Sequence, residues 1–395
     1  MPYSLAKKSL LKSYSGFDRL ILILYSMYFI MKPFYFWSSG LPQVSDLIMG
    51  ILITIYLFYK KFRVPVYVKN KKFLLTGMYF VFYIILVNMT WVLIFNDLDR
   101  FITSSSFYIY NFTIVVFVLA LYSDYKEKII EVTYVAILVS VFLQIFMFFL
   151  GGGFIGGRMT AGFNNPNQLG YYALLVASLL IFTSRKTVKS ELVVLGIISS
   201  LTLAAVSLSK AAIISISGFI IISLFTKNEN KIFKRNFIIY FILIAIVTGY
   251  IYQTTTFIQN NQLVLSVQNR INSIGNDSDD SLEGRGYYRI TEFPEYWIFG
   301  AGEGGYKRFG PLGNEFHSTL GNIQVSYGII GVFLFLRFVF LALKNDNFRS
   351  WYIITFILIF GVTHNGIRNT VFWILLALIA SQSEFLQFQR KNQKT

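Results

Sequence analysis

The sequence contains no cysteine, which excludes disulfides, thiolate metal sites and cysteine nucleophiles and leaves the redox compartment open. Charge is also scarce. Asp, Glu, Lys and Arg make up 14% of the chain against 55% hydrophobic residues, and apolar runs of spanning length recur throughout, so the class is a polytopic membrane protein. No signal-peptide pattern opens the chain; residues 1–19 form a polar, basic, weakly amphipathic lead-in. Carboxylates are fewer than cations, 19 against 35, and there are only two histidines. No half-to-half repeat is visible, and the ionisable residues crowd the rim rather than the middle of the apolar runs, which argues against a transporter.

What is there is a series of twelve expected spans, near 18–37, 42–60, 73–95, 101–122, 129–150, 168–184, 191–208, 211–226, 236–253, 318–343, 350–364 and 370–386. Alternate loops hold most of the cations: Lys7, Lys8 and Lys12, the dense 60–72 loop, Lys126 and Lys128, then Lys186, Lys231 and Arg349, and finally the C-terminal tail. The positive-inside rule puts these loops, and with an even span count both termini, in the cytoplasm. The net charge of +16 is thus mainly a topology signal, and its scatter over short loops argues against nucleic-acid binding. The chain is expected to form one integral membrane domain, all-α, with a long outer loop at 254–317 that contributes to an active site.

Cations on the outer side run against the rule. They include Arg158, Lys210, Arg285, Arg289 and Arg368. Any one is readable as a snorkelling interfacial residue, but arginine forks also bind phosphate oxygens bidentately. The stretch 281–293 lacks proline and is expected to be helical, with Arg285 and Arg289 four apart on one face. The glycines of 300–305 let backbone approach a ligand or another helix. Asn167 reads as the cap of span six, with a substrate contact second. Tyr171, Tyr172, Tyr287, Tyr288, Tyr296 and Trp297 are sugar-stacking candidates or interfacial belt residues.

Three segments carry a resemblance. His317-Ser318 is followed, nine residues on, by Gly328-Ile-Ile-Gly331; Arg158-Met-Thr-Ala-Gly-Phe-Asn-Asn-Pro-Asn opens span six; Arg285 precedes Gly300-Ala-Gly302. In this order and placement they are similar to the motifs of the O-antigen ligase and polymerase superfamily, over roughly residues 130–345. The first four spans resemble nothing in it. Where many members have Ser-Arg-Gly this chain has Ser209-Lys210-Ala211, so Lys210 is either a pyrophosphate ligand without the planar fork or part of a capped inter-helix turn.

The resemblance implies a bundle of the lipid-phosphosugar glycosyltransferase type (GT-C-like), in the bacterial plasma membrane. It would act at the outer face on an undecaprenyl-pyrophosphate-linked oligosaccharide, with no metal or cofactor. Membrane lipids and a chain-length regulator are the further partners it implies. Arg158, Arg285, Arg289 and Lys210 would bind the pyrophosphate. Asn167, Tyr288, His364 and Arg368 would contact substrate, although His364 and Arg368 also read as a plain interfacial turn. His317 would take the proton of the attacking sugar hydroxyl, or position substrate, or only cap span ten. The acidic group Asp277-Ser-Asp279-Asp280 reads as a solvated turn rather than a cation site. A polymerase extending a lipid-linked repeat unit is preferred to a ligase acting on lipid A–core or another acceptor, with a lipid or sugar transporter a distant third.

Overall fold

In the computed structural model, residues 14–63, 71–95, 98–184, 190–226, 235–239, 241–242, 281–304, 309, 316–344 and 348–392 are described. Helix follows helix along them. In order they are α1 (Gly16–Met31), α2 (Val44–Tyr59), α3 (Lys71–Phe95), α4 (Leu98–Tyr125) and α5 (Glu127–Phe149). Then come α6 (Pro166–Thr183), α7 (Ser190–Val206), α8 (Lys210–Phe225), α9 (Tyr288–Glu292), α10 (Thr319–Leu343), α11 (Phe348–Thr363) and α12 (Thr370–Asn392). Eleven of the twelve expected spans coincide with a helix; the ninth, 236–253, lies mostly outside the described residues, as do residues 254–280 of its following loop.

The starts follow from local chemistry. Ser15 and Asp18 form a reciprocal capping box on α1, and Ser318 accepts the Gly321 N–H at the head of α10. Helix α1 stops at Met31, short of the expected 37, because Pro33 cannot continue its hydrogen-bond ladder.

Helix α3, the Thr103–Tyr125 part of α4, α5 and α10 are 23 to 25 residues long and apolar enough to cross a ~30 Å hydrocarbon layer. Their outward faces carry large bare hydrophobes such as Phe82, Leu93, Phe146 and Phe333. Such faces are stable against lipid and costly in water. The protein is therefore an all-α membrane protein. Helices α6 and α12 form its centre: residues 169–183 of α6 and 371–381 of α12 are buried all round. Around α6 pack α5, α7, α8 and α11, and around α12 pack α4 and α10.

One end of the bundle gathers the loops 32–43, 150–165, 207–209, 281–304, 316–318 and 364–369. Here a hairpin of β1 (Gly153–Ile155) and β2 (Arg158–Ala161) joins α5 to α6, with Ile155 opposite Arg158. Its two-residue turn is Gly156-Gly157, both at positive φ, as a right-twisted hairpin requires.

Helix α10 is interrupted. Gly328 has φ 63° and ψ −171°, roughly 14 Å along the helix from its start. The backbone groups freed there are taken up by the 297–302 segment: Ala301 N–H donates to Val325 O (2.8 Å), Gly302 N–H to Ser326 O (2.8 Å), and Ile329 N–H to Trp297 O (2.7 Å). A Cβ on Gly328 would lie 2.1 Å from the Ile298 carbonyl, and one on Gly300 2.3 Å from that of Ser326. These glycines thus serve the approach of backbone to helix.

Candidate functional site

Arg158 opens β2, and its guanidinium reaches across the start of α6. Its Nε donates to the Ser207 carbonyl (2.9 Å) and its Nη2 to Asn167 Oδ1 (2.7 Å). Ser207 lies in the turn from α7 to α8. That turn is close because Gly170 of α6 has no side chain; a Cβ would sit 2.8 Å from Ser209 Cβ. Lys210 is the first residue of α8, directly after this turn, and is half-buried. Asn167 does not cap α6. Asn165 does, its side chain accepting the Asn167 N–H at 2.7 Å, because the Pro166 ring fixes the first helical residue and leaves Asn165 one position before it. Asn167 is thereby released to orient Arg158.

The expected helix over 281–293 is reduced to α9. Gly286 at φ 85° breaks it, so Arg285 precedes the helix in a run of turns and Arg289 lies within it. The two arginines part. Arg289 is buried, its guanidinium 5.3 Å from the Phe309 ring centre and 5.6 Å from that of Tyr288. Tyr288 donates its hydroxyl to Phe309 O (3.0 Å). Phe309 belongs to a small apolar cluster with Ala301, Phe316 and Val325, and Tyr287 and Tyr296 pack around it. Arg285 is half-exposed, and its Nη1 donates to the carbonyl of Thr363, the last residue of α11. Its own carbonyl accepts the backbone N–H of His317 at 3.2 Å. His317 is exposed while its neighbours Phe316 and Ser318 are buried. Ser318, not His317, caps α10.

His364 follows α11 directly. Its ring stacks on Phe360 (4.8 Å between centres), which stacks in turn on Tyr171 (4.6 Å). Tyr171 and Tyr172 are core residues, not sugar platforms or belt residues. The Nδ1 of His364 is 2.9 Å from Thr363 Oγ1, whose hydroxyl lies 3.3 Å from the Phe360 carbonyl. With that hydroxyl donating to the carbonyl, Nδ1 carries the proton and Nε2 is left as an acceptor. Burial, and then the charges of Arg285, His317 and Arg158, push the imidazole down to about 3. Those four residues, far apart in sequence, therefore share one electrostatic neighbourhood.

A second cluster lies beside the interruption of α10. Glu303 is buried; its Oε1 meets Arg368 Nη2 (2.5 Å) and Asn322 Nδ2 (3.2 Å), and its Oε2 accepts from Tyr327 (2.8 Å). Its N–H donates to Asn88 Oδ1 of α3 (3.0 Å), and its carbonyl accepts from Ser104 of α4 (3.2 Å). Burial alone would raise this carboxyl, but the Arg368 charge and the hydrogen bonds hold it below the usual range. Arg368 also lies 5.2 Å from the Phe107 ring centre. In sequence Glu303 is one of several acidic residues in a long loop. Its place directly after Gly302, whose backbone lies against α10, is the cue that it is interior.

Among the described residues no three His, Asp or Glu side chains come together as a metal would require. Asp277, Asp279 and Asp280 lie outside them. No model of a known protein family matches the chain, and no curated protein matches it.

Proposed function

We propose that the chain is a glycosyltransferase of the bacterial plasma membrane, moving a glycan from undecaprenyl pyrophosphate onto a lipid-linked repeat unit. This is an O-antigen-type polymerase with a GT-C-like bundle of twelve spans. The observation that carries the reading is the convergence of Arg158, Arg285, His317 and His364 at one end of the bundle. The connections at the opposite end carry Lys60, Lys61, Arg63, Lys126 and Lys128, which supports a cytoplasmic assignment for that end and for both termini. The site then faces outward, where lipid-linked glycans are polymerised.

In this reading the bond between the anomeric carbon and the pyrophosphate oxygen breaks, and the acceptor hydroxyl oxygen bonds to that carbon. The hydroxyl proton passes to His317, which is exposed to an incoming acceptor. The forks of Arg158 and Arg285 receive the charge that builds on the leaving pyrophosphate. Neutral oxygens are among the groups that aim them, and such oxygens orient a guanidinium without cancelling its charge. His364 is held too acidic to serve as the base, and its Nε2 accepts a hydrogen bond from a substrate hydroxyl instead.

The experiment is transfer by purified protein in liposomes supplied with a defined lipid-pyrophosphate repeat unit. His317→Ala is expected to lower turnover by about 10²–10⁴ while donor affinity changes little. Ordinary turnover in that variant would remove the histidine from the chemistry.

A further inference from the structure

The chain between Arg285 and Glu303 and the turn 363–368 form a closed ring. At one junction Arg285 Nη1 donates to Thr363 O; at the other Arg368 Nη2 meets Glu303 Oε1 at 2.5 Å. His364 sits in the turn between the two junctions. The turn is fastened at its middle as well, because Thr319 Oγ1 donates to His364 O (3.1 Å) and accepts the Gly366 N–H (3.0 Å). Its end is tied to α4, where Asn111 Nδ2 donates to Arg368 O (3.3 Å). Glu303 is anchored through backbone and side chain to α3, α4 and α10, so it is the fixed point of the ring. Helices α3 and α4, which carry none of the site's motifs, meet this part of the site at Glu303 and, for α4, at Arg368 O as well.

We propose that Glu303 is a positioning residue: through Arg368 it sets the 363–368 turn, and thereby the placement of Arg285 and His364. Its effect on transfer rests on the glycosyltransferase reading; its effect on placement does not.

The chain has only two histidines, so histidine-selective labelling gives an NMR spectrum in which both imidazoles are resolved, assigned with His317→Asn. Glu303→Gln keeps the side-chain shape and removes the charge that holds Arg368. In the folded variant the His364 imidazole signals should move, and transfer per folded molecule should fall by roughly 10²-fold, as expected for a displaced reacting group. Glu303→Asp should recover part of the loss. Asp124→Asn, which breaks an ion pair with Lys60 at the opposite end, should leave the His364 signals in place. If Glu303→Gln does not fold, Glu303→Gln combined with Arg368→Gln leaves no buried charge and is read the same way. A folded variant with unmoved His364 signals overturns the proposal. Moved signals in a protein whose wild type transfers no glycan would keep the positioning role and reject the glycosyltransferase reading.

Discussion

Glu303 is enclosed on every side by partners from α3, α4, α10 and the 364–369 turn, whereas His317 and Arg285, on the same end of the bundle, present their side chains to the surface. The closed cluster is turned inward: the Glu303 carboxylate accepts from the Arg368 guanidinium, the Asn322 amide and the Tyr327 phenol. In the open cluster the contacts include backbone carbonyls and an amide, which fix direction. A buried carboxylate is tolerated only with its cation and donors in place, so the closed cluster is a fastening. Half-exposed guanidiniums beside a histidine kept neutral suit an anionic ligand arriving from outside.

The contrast breaks most visibly in the open cluster. Arg158→Ala or Arg285→Ala should abolish polymer in cells at unchanged protein abundance, a loss of about 10²–10³-fold or more in transfer. Lysine at either position should also be severely impaired, since a point charge does not replace a planar fork. Near-normal polymer from Arg285→Ala at matched expression would take that residue out of the site.

In the closed cluster the main effect is on stability. Glu303→Ala leaves Arg368, Asn322 and Tyr327 without their acceptor and should cost about 2–4 kcal/mol in thermal unfolding in detergent. Asp124→Ala removes the partner of Lys60 in a pair whose side chains are 20% and 28% exposed, together with the acceptor of the Tyr56 hydroxyl, and should cost less, about 1–2 kcal/mol. Equal losses would mean that the two ion pairs do not differ in kind.

A remaining effect concerns acid. His364 is depressed from 6.5 to about 3 in the folded protein, so between those values the unfolded chain binds a proton that the folded chain refuses. Stability should fall as pH drops through that window and be unaffected above it. His364→Asn should flatten this part of the profile, which melting temperatures recorded from about pH 7 to about pH 4 would show.

Helix positions were legible because spanning apolar runs have few alternatives in a bilayer, where every backbone group must be satisfied within the segment. The stretch 281–293 lacks proline and so resembles one helix, but Gly286 takes a positive φ that breaks it before α9. The hairpin at 153–161 has a sequence signal of its own, a Gly156-Gly157 pair between two short runs. Asn165 and Asn167 exchanged roles because Asn-Pro-Asn marks a helix start without saying which asparagine lies outside it. Arg158, Arg285 and His317 stand out in the sequence through their motifs. The Glu303–Arg368 pair does not, since a contact across 65 residues depends on tertiary packing.

The central claim is that fixed arginines, rather than a metal, neutralise a leaving pyrophosphate. Its most direct test is transfer from a lipid-pyrophosphate repeat unit by purified protein in EDTA, wild type beside Arg285→Lys. Glycan transfer by the wild type in chelator, lost in Arg285→Lys, is the expected result. Complete loss of wild-type activity in EDTA, restored by Mg²⁺ or Mn²⁺, would contradict it.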